Sequence, residues 1–436
     1  MMSGRASRLR RRWGILTPPS VLIVLATARA PGAEEGRGAH GPTPMAHEAQ
    51  LFGHEDGTRG TAGDEFGNSI SISGDTVIVG ARSDAIPGGA SNAGSAYVFY
   101  RSGTTWTEQA KLTVADSVSF GWSVSIDGDT AVVGENARGL AHVFVRSGNT
   151  WTLQQTLGPS VVPDDMFGWS VAISGDTILV GAPYSANLTG AAYVYVRSGT
   201  TWTEQQQLLA RDGENGDRFG HAVSIDGDTA LVGAWTDNTA GGTFAGSAYV
   251  FVRSGVAWSQ QQKLVAPDPP SSFDLFSTQL SLSGDTAAIG APMDDLGGEP
   301  GVDAGSVYVF QRSGTSWSLQ QKLTASDAAN SDSFGASVSI VADVLVVGAS
   351  FDDTAGGTDA GSAYVFVRSG SVWLEAQKLL APDGAANDLF GISAAFYGDT
   401  AVVGARADDT AGGADSGSAH VFHGSVPVEL QAFTVH

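Results

Sequence analysis

Paired aspartates are the residues of this chain best placed to do chemistry. Asp294-Asp295, Asp352-Asp353 and Asp408-Asp409 each precede a further aspartate, Asp303, Asp359 or Asp415, in glycine-rich runs such as DDTAGGTDAG. Carboxylates clustered on flexible loops suit Ca²⁺, which takes roughly six to eight oxygen ligands from carboxylates and carbonyls. The competing reading is that long Gly-rich loops must be solvated and that aspartate in such turns caps its own backbone. Other chemistry has thinner support. The eight histidines are scattered, with no H-E-x-x-H or metal-spaced pair. Gly-x-Ser recurs at Gly67-Asn68-Ser69, Gly121-Trp122-Ser123, Gly168-Trp169-Ser170 and Gly335-Ala336-Ser337. A nucleophile elbow begins that way, but the closing glycine is missing and the recurrence marks one structural position. No cysteine is present, which excludes disulfides and thiolate metal sites. No catalytic residue and no cofactor is assigned.

The elements that must carry these loops repeat. Near copies of residues 219–264 begin at Phe66, Phe120, Phe167, Phe219, Phe276, Phe334 and Phe390, a spacing of roughly 47 to 58 residues, in the range of blade-type repeats. In residues 219–264, runs AVSI, ALVGA, SAYVFV and WSQQQKL have strand composition. The D-G-D-T and R-S-G signals join the first and last pairs as tight hairpins, so each unit is a four-stranded meander, A to D. Strand A alternates small polar and aliphatic residues, B and C are apolar on both faces, and D turns to glutamine and lysine, as a water-facing outer edge does. Polarity rises from hub to rim.

FG, then GDT, then GA or GAP, then GSAYVF resembles the FG-GAP repeat of integrin alpha-subunit propellers and their bacterial relatives. The resemblance covers most of the chain and implies an all-β, seven-bladed β-propeller, in agreement with the seven units counted from spacing. In that family Ca²⁺ sits in a D-x-D-x-D-G loop between strands A and B, where this chain has only a tight S-G-D or D-G-D turn, so those sites do not carry over. Ser277 after Phe276, Glu135 after Gly134 and Ala342-Asp343 in place of Gly-Asp depart from the pattern.

Residues 1–30 differ from the rest. Arg5, Arg8, Arg10, Arg11 and Arg12 precede an apolar run ending in Ala26-Thr27-Ala28, the order of parts of a secretory signal peptide. Removal of residues 1–30 leaves 17 basic against 45 acidic residues, a net charge near −28, which disfavours nucleic acid. Residues 31–45 read as a flexible linker, 46–425 as the propeller and 426–436 as a tail. The seventh unit lacks strand D, while Glu48-Ala49-Gln50-Leu51 echoes the D strand of the sixth, so an N-terminal strand completes the last blade and closes the ring. The tail is the rival for that place. In a four-stranded blade the A–B and C–D turns share one face, where the Asp of GDT and the Arg of RSG balance. The B–C loops and D–A connections share the other, which is strongly anionic. The expected function is that of a secreted, non-catalytic propeller binding an extracellular protein or polysaccharide through the anionic loop face, with Ca²⁺ as the candidate ion and no stable membrane insertion after cleavage. The alternative is a carbohydrate-active or hydrolytic domain with its site at the ring's mouth, where His221 and Trp169 stand beside the hub but read as packing variants.

Overall fold

The alternation in the sequence folds as seven four-stranded antiparallel sheets in the computed structural model, which describes residues 44–55, 58–86, 92–160, 165–240, 242–267, 273–295 and 303–425. The leader, most of the linker and the tail 426–436 lie outside the described residues. In the fourth blade strands A to D are Phe219–Asp226, Thr229–Ala234, Ser247–Ser254 and Ala257–Leu264. Strand B is buried throughout and C over its first five residues, as their two-sided apolar composition requires. The strand-A serines do more than fit a narrow hub. Ser71, Ser125, Ser224, Ser281 and Ser339 each accept a backbone N–H from strand A of the next blade or the one it abuts, as in Ile126 N to Ser71 Oγ at 3.1 Å.

One sheet breaks chain order. Phe390–Tyr397, Thr400–Ala405 and Ser418–His423 are completed by Ala46–Leu51, which pairs antiparallel with Ser418–His423. The N-terminal strand thus takes the slot that the two complementary defects leave open. Its register differs from the simple sequence echo. Leu51 lies opposite Ala419 as Leu379 lies opposite Ala363, so Gln50 occupies the position of Lys378 and Glu48 falls in the bulge. Glu48 there accepts from Arg101 and from Trp106 Nε1, both at 2.8 Å, and ties the seam strand to the first blade.

Backbone contact sets how closely blades stack. A Cβ placed on Gly80 would lie 2.1 Å from Gly121 O, and one on Gly121 would lie 2.2 Å from Ser95 O, with φ of Gly121 at +86°. The glycine of FG in one blade therefore rests on the glycine of GA in the blade before it, and Gly67 against Gly404 closes the ring the same way. Ser277, which lacks this glycine, holds φ +74° and donates its hydroxyl to Ser247 O at 2.7 Å.

The rim corrects the reading of strand D as a plain solvated edge. Gln206 Nε2 donates to Trp258 O while Trp258 N donates to Gln206 Oε1, both at 2.8 Å, and the same two-bond clasp joins Gln155 to Trp202, Gln262 to Trp317 and Gln321 to Trp373. A bulge in each D strand turns one further side chain toward the next blade. Thus Gln205 accepts from Trp258 Nε1 at 2.9 Å and Gln261 from Trp317 Nε1 at 3.0 Å. The bulge residue of the sixth blade is Ala376, and the seam strand that follows has no tryptophan to receive it. On the turn face Arg253 pairs with Asp228 at 2.6 Å and reaches Thr177 of the preceding blade at 2.9 Å, a pattern shared by Arg146, Arg197, Arg312 and Arg368.

Gly121→Ala combines a positive φ with a backbone collision, and is expected to cost about 3 kcal/mol or more. Gly128→Ala, at φ +56° with open space around it, meets only the backbone term, about 1 kcal/mol. Urea unfolding of the two variants measures the difference; equal costs would refute the contact account.

Candidate functional site

The anionic loops divide their aspartates between two tasks. The first of each pair turns inward. Asp294 Oδ2 accepts from Ser306 and from Tyr308 at 2.6 Å and pairs with Lys322 at 2.8 Å. Asp352 accepts from Ser362 at 2.5 Å and Tyr364 at 3.0 Å and pairs with Lys378 at 2.6 Å. Asp408 is buried as well, and Gln50 donates to it at 3.2 Å. The second of each pair caps its loop: Asp295, Asp353 and Asp409 accept from the backbone N–H of Asp303, Asp359 and Asp415 at 3.2, 2.9 and 2.9 Å. The nine aspartates singled out in the sequence thus lie in three separate blades, the first of each pair held by strand residues and the second by its own loop. The strand-D lysines, read as edge charges, are the cations of these nodes. Burial opposes the charge on Lys263, but hydrogen bonds to Asp212, Asp237 and Tyr249 outweigh it and raise its pKa. In the second blade, where no aspartate follows strand B, buried Glu135 supplies the carboxylate, 2.8 Å from His142 Nε2.

A different set of residues converges at the centre. The position after each FG faces the mouth of the ring on the loop side, and so does the position after GA in the first and the fourth to seventh blades. Together they line a cavity of about 480 Å³. In the second to fourth blades the position after FG is aromatic, and in the fourth the position after GA is as well, Trp235. Trp122 and Trp169 have ring centroids 4.7 Å apart, Trp169 lies 5.5 Å from His221 and 5.7 Å from Tyr184, and His221 stacks on Trp235 at 4.6 Å. The Arg82 guanidinium lies over Trp122 at 4.6 Å and is paired with Glu65; Arg218 lies 5.3 Å from both Tyr184 and Trp235. The far wall carries Met293, Phe351, Ile392 and Arg406. His221 Nδ1 and Trp235 Nε1 are closed off from solvent without a hydrogen-bond partner in the protein.

Trp169 and His221 therefore stand at the mouth and contribute to its surface as well as packing against each other. The sequence signal was present: one position per blade, directly after FG, reads Asn68, Trp122, Trp169, His221, Thr278, Ala336 and Ile392, varying while its neighbours repeat.

Closed ring, four-stranded blades and central mouth define a seven-bladed β-propeller. The FG-GAP repeat profile matches at residues 58–99, 106–145, 151–195, 202–251, 258–310, 317–366 and 373–422, more than half of the sequence, and the chain belongs to the FG-GAP repeat family. No curated protein matches it. Among solved structures it is similar to Sqt1 of Saccharomyces cerevisiae, with 12% identity over 84% of this chain and 97% of that one at a TM-score of 0.48. It is also similar to a protein from Lactobacillus plantarum, with 16% identity over 73% and 86% and a TM-score of 0.49. No helix among the described residues is long and apolar enough to cross a membrane.

Burial, with a smaller contribution from Arg218 and against a hydrogen bond to the Thr278 backbone, pushes His221 from its ordinary 6.5 down to about 4. The unfolded chain therefore takes up this proton first as pH falls, and stability is lost between about 6.5 and 4. His221→Phe keeps the stacking and removes the proton. Between pH 7 and pH 4.5 its unfolding free energy in urea is expected to drop by about 2.5 kcal/mol less than that of the parent protein. Equal drops would show that His221 is not held neutral.

Proposed function

We propose that this protein is a secreted binding module, and that it takes the end or a bend of a neutral polysaccharide in the mouth of the ring. The single observation that carries the reading is the arc of Trp122, Trp169, His221 and Trp235, all partly exposed around one cavity, with Tyr184 packed behind Trp169. A cavity lined by aromatic rings with a few convergent polar groups is the usual form of a small-ligand site. The C–H groups on the flat face of a sugar carry partial positive charge and are drawn to the negative face of an aromatic ring. Arg82 and Arg406 offer donors to hydroxyl groups, and the surrounding acidic loops disfavour a polyanion. His221, neutral with a pKa near 4, is a weak proton acceptor at neutral pH, which favours binding over catalysis.

A protein partner is the second reading, favoured by Met293 and Phe351 on the far wall, 42% and 41% exposed. An apolar side chain entering the mouth would cover both.

A glycan array probed with the parent protein and with Trp122→Ala and Trp169→Ala tests the proposal. Each variant is expected to lose at least about tenfold in affinity for the glycan that the parent retains, or about 1.4 kcal/mol. Asp228→Asn, on the opposite turn face, is expected to leave binding unchanged. Glycan binding insensitive to both tryptophans would remove the mouth from consideration, and a parent protein that binds no glycan while Met293→Asp disrupts a protein complex would favour the second reading.

A further inference from the structure

The fourth and sixth blades show what belongs between the B–C loop and the preceding connection. Lys263 Nζ lies 2.7 Å from both Asp212 and Asp237, and Lys378 Nζ lies 2.6 Å from both Asp327 and Asp352. In each case the tyrosine of strand C donates to the inner carboxylate. At the seam the same two carboxylates are present as Asp383 and Asp408, but the blade is completed by the N-terminal strand. Gln50 stands in the lysine position and His420 in the tyrosine position. Gln50 Nε2 donates to Asp383 at 2.9 Å and to Asp408 at 3.2 Å, so a neutral amide spans a pair of carboxylates that in the fourth and sixth blades hold a lysine ammonium between them. One carboxylate oxygen from each aspartate and a nitrogen of His420 lie within 4.8 Å of one another.

We propose that this seam node binds one divalent transition-metal ion of the Zn²⁺ or Mn²⁺ class through Asp383, Asp408 and His420, with Gln50 as a further ligand. An imidazole beside two carboxylates suits these ions, whereas Ca²⁺ and Mg²⁺ favour oxygen ligands throughout. His420 is fully buried, and its Nδ1 lies 3.3 Å from His47 Nε2. The tautomer that donates Nδ1–H to His47 leaves the Nε2 lone pair on the side where Ser418 Oγ, 3.1 Å away, and the carboxylates lie. Such an outer partner fixes the ring and raises its basicity as a ligand. A tetrahedral ion brings its ligand atoms to about 3.4 Å from one another. Asp383, whose side chain is 53% exposed, can make that closure. Half a turn of the Gln50 amide places its oxygen where the nitrogen now sits.

The site differs from the loop aspartates of the fifth and sixth blades, where lysine already neutralises the inner carboxylate. It also lies apart from the mouth, so it stands or falls independently of the glycan proposal.

The untagged protein, stripped with EDTA, is titrated calorimetrically with ZnCl₂, MnCl₂ and CaCl₂ and melted in each. One Zn²⁺ or Mn²⁺ per chain with a raised melting temperature is expected, and neither effect from Ca²⁺. Gln50→Lys, which supplies the ammonium found in the fourth and sixth blades, is expected to abolish binding while melting no lower than the metal-free parent. Asp383→Asn, at an exposed position, is expected to abolish binding with the fold intact, and His47→Ala to weaken it roughly 10- to 100-fold. Absence of ion-specific heat, an equal response to Ca²⁺, or undiminished binding by Gln50→Lys would overturn the proposal.

Discussion

Main-chain contact between glycines, made at six of the seven blade interfaces with Ser277 at the seventh, is the constraint on which the ring depends. Where FG of one blade meets GA of the blade before it, no Cβ fits: a methyl group on Gly181 would lie 2.0 Å from Gly220 O, and one on Gly348 1.9 Å from Gly391 O. The contact fixes the spacing of the blades at the hub. The glutamine clasps and the tryptophan-to-bulge hydrogen bonds fix it at the rim. The phenylalanine of each FG then fills the layer between, as Phe219 does edge-on against Tyr249 and Phe251 at 5.4 and 5.9 Å. With hub and rim both pinned by repeated residues, the position immediately after FG is left to face the mouth, and its side chain changes from blade to blade.

The same division explains the charge of the loop face. An acidic chain with lysine at the end of most D strands gains little from surface ion pairs, whose worth is small in water. Here the pairs are drawn inward. Asp237 and Lys263 share a node with Tyr249, so each loop is anchored by groups that would be costly to leave unpaired. The seam departs from this arrangement because its D strand comes from the other end of the chain and carries Gln50 in the lysine position, where the third blade has Gln207.

Blade count, strand order and ring closure were legible in the sequence because each rests on a repeat or on two complementary defects that a single strand repairs. What sequence reading missed depends on side-chain direction. Whether Lys263 faces water or Asp237, and whether Gln261 lies free or meets Trp317, is decided by the bulge in strand D, which shifts register without changing composition. The half-seen closure shows the same limit: Glu48-Ala49-Gln50 matches Glu375-Ala376-Gln377 by letter, yet the bulge and Leu51 place Gln50 with Lys378. Leader, tail and most of the linker lie outside the described residues. The aromatic arc was hidden because no stretch contains it. Trp122, Trp169 and His221 come from three blades, one residue each, and only the closed ring brings them to one cavity.

Repeated residues maintain the ring, and under the proposed binding role the blade-specific residues at the mouth meet the ligand. Urea unfolding of Trp202→Ala and Trp169→Ala tests that division directly. Trp202, 2% exposed and clasped by Gln154 and Gln155, belongs to the scaffold, and its loss is predicted to cost about 3–5 kcal/mol. Trp169 makes tilted ring contacts with Trp122, Tyr184 and His221, and its loss is predicted to cost less than about 2 kcal/mol. Equal destabilisation by the two substitutions would contradict the account and return the aromatic arc to the core.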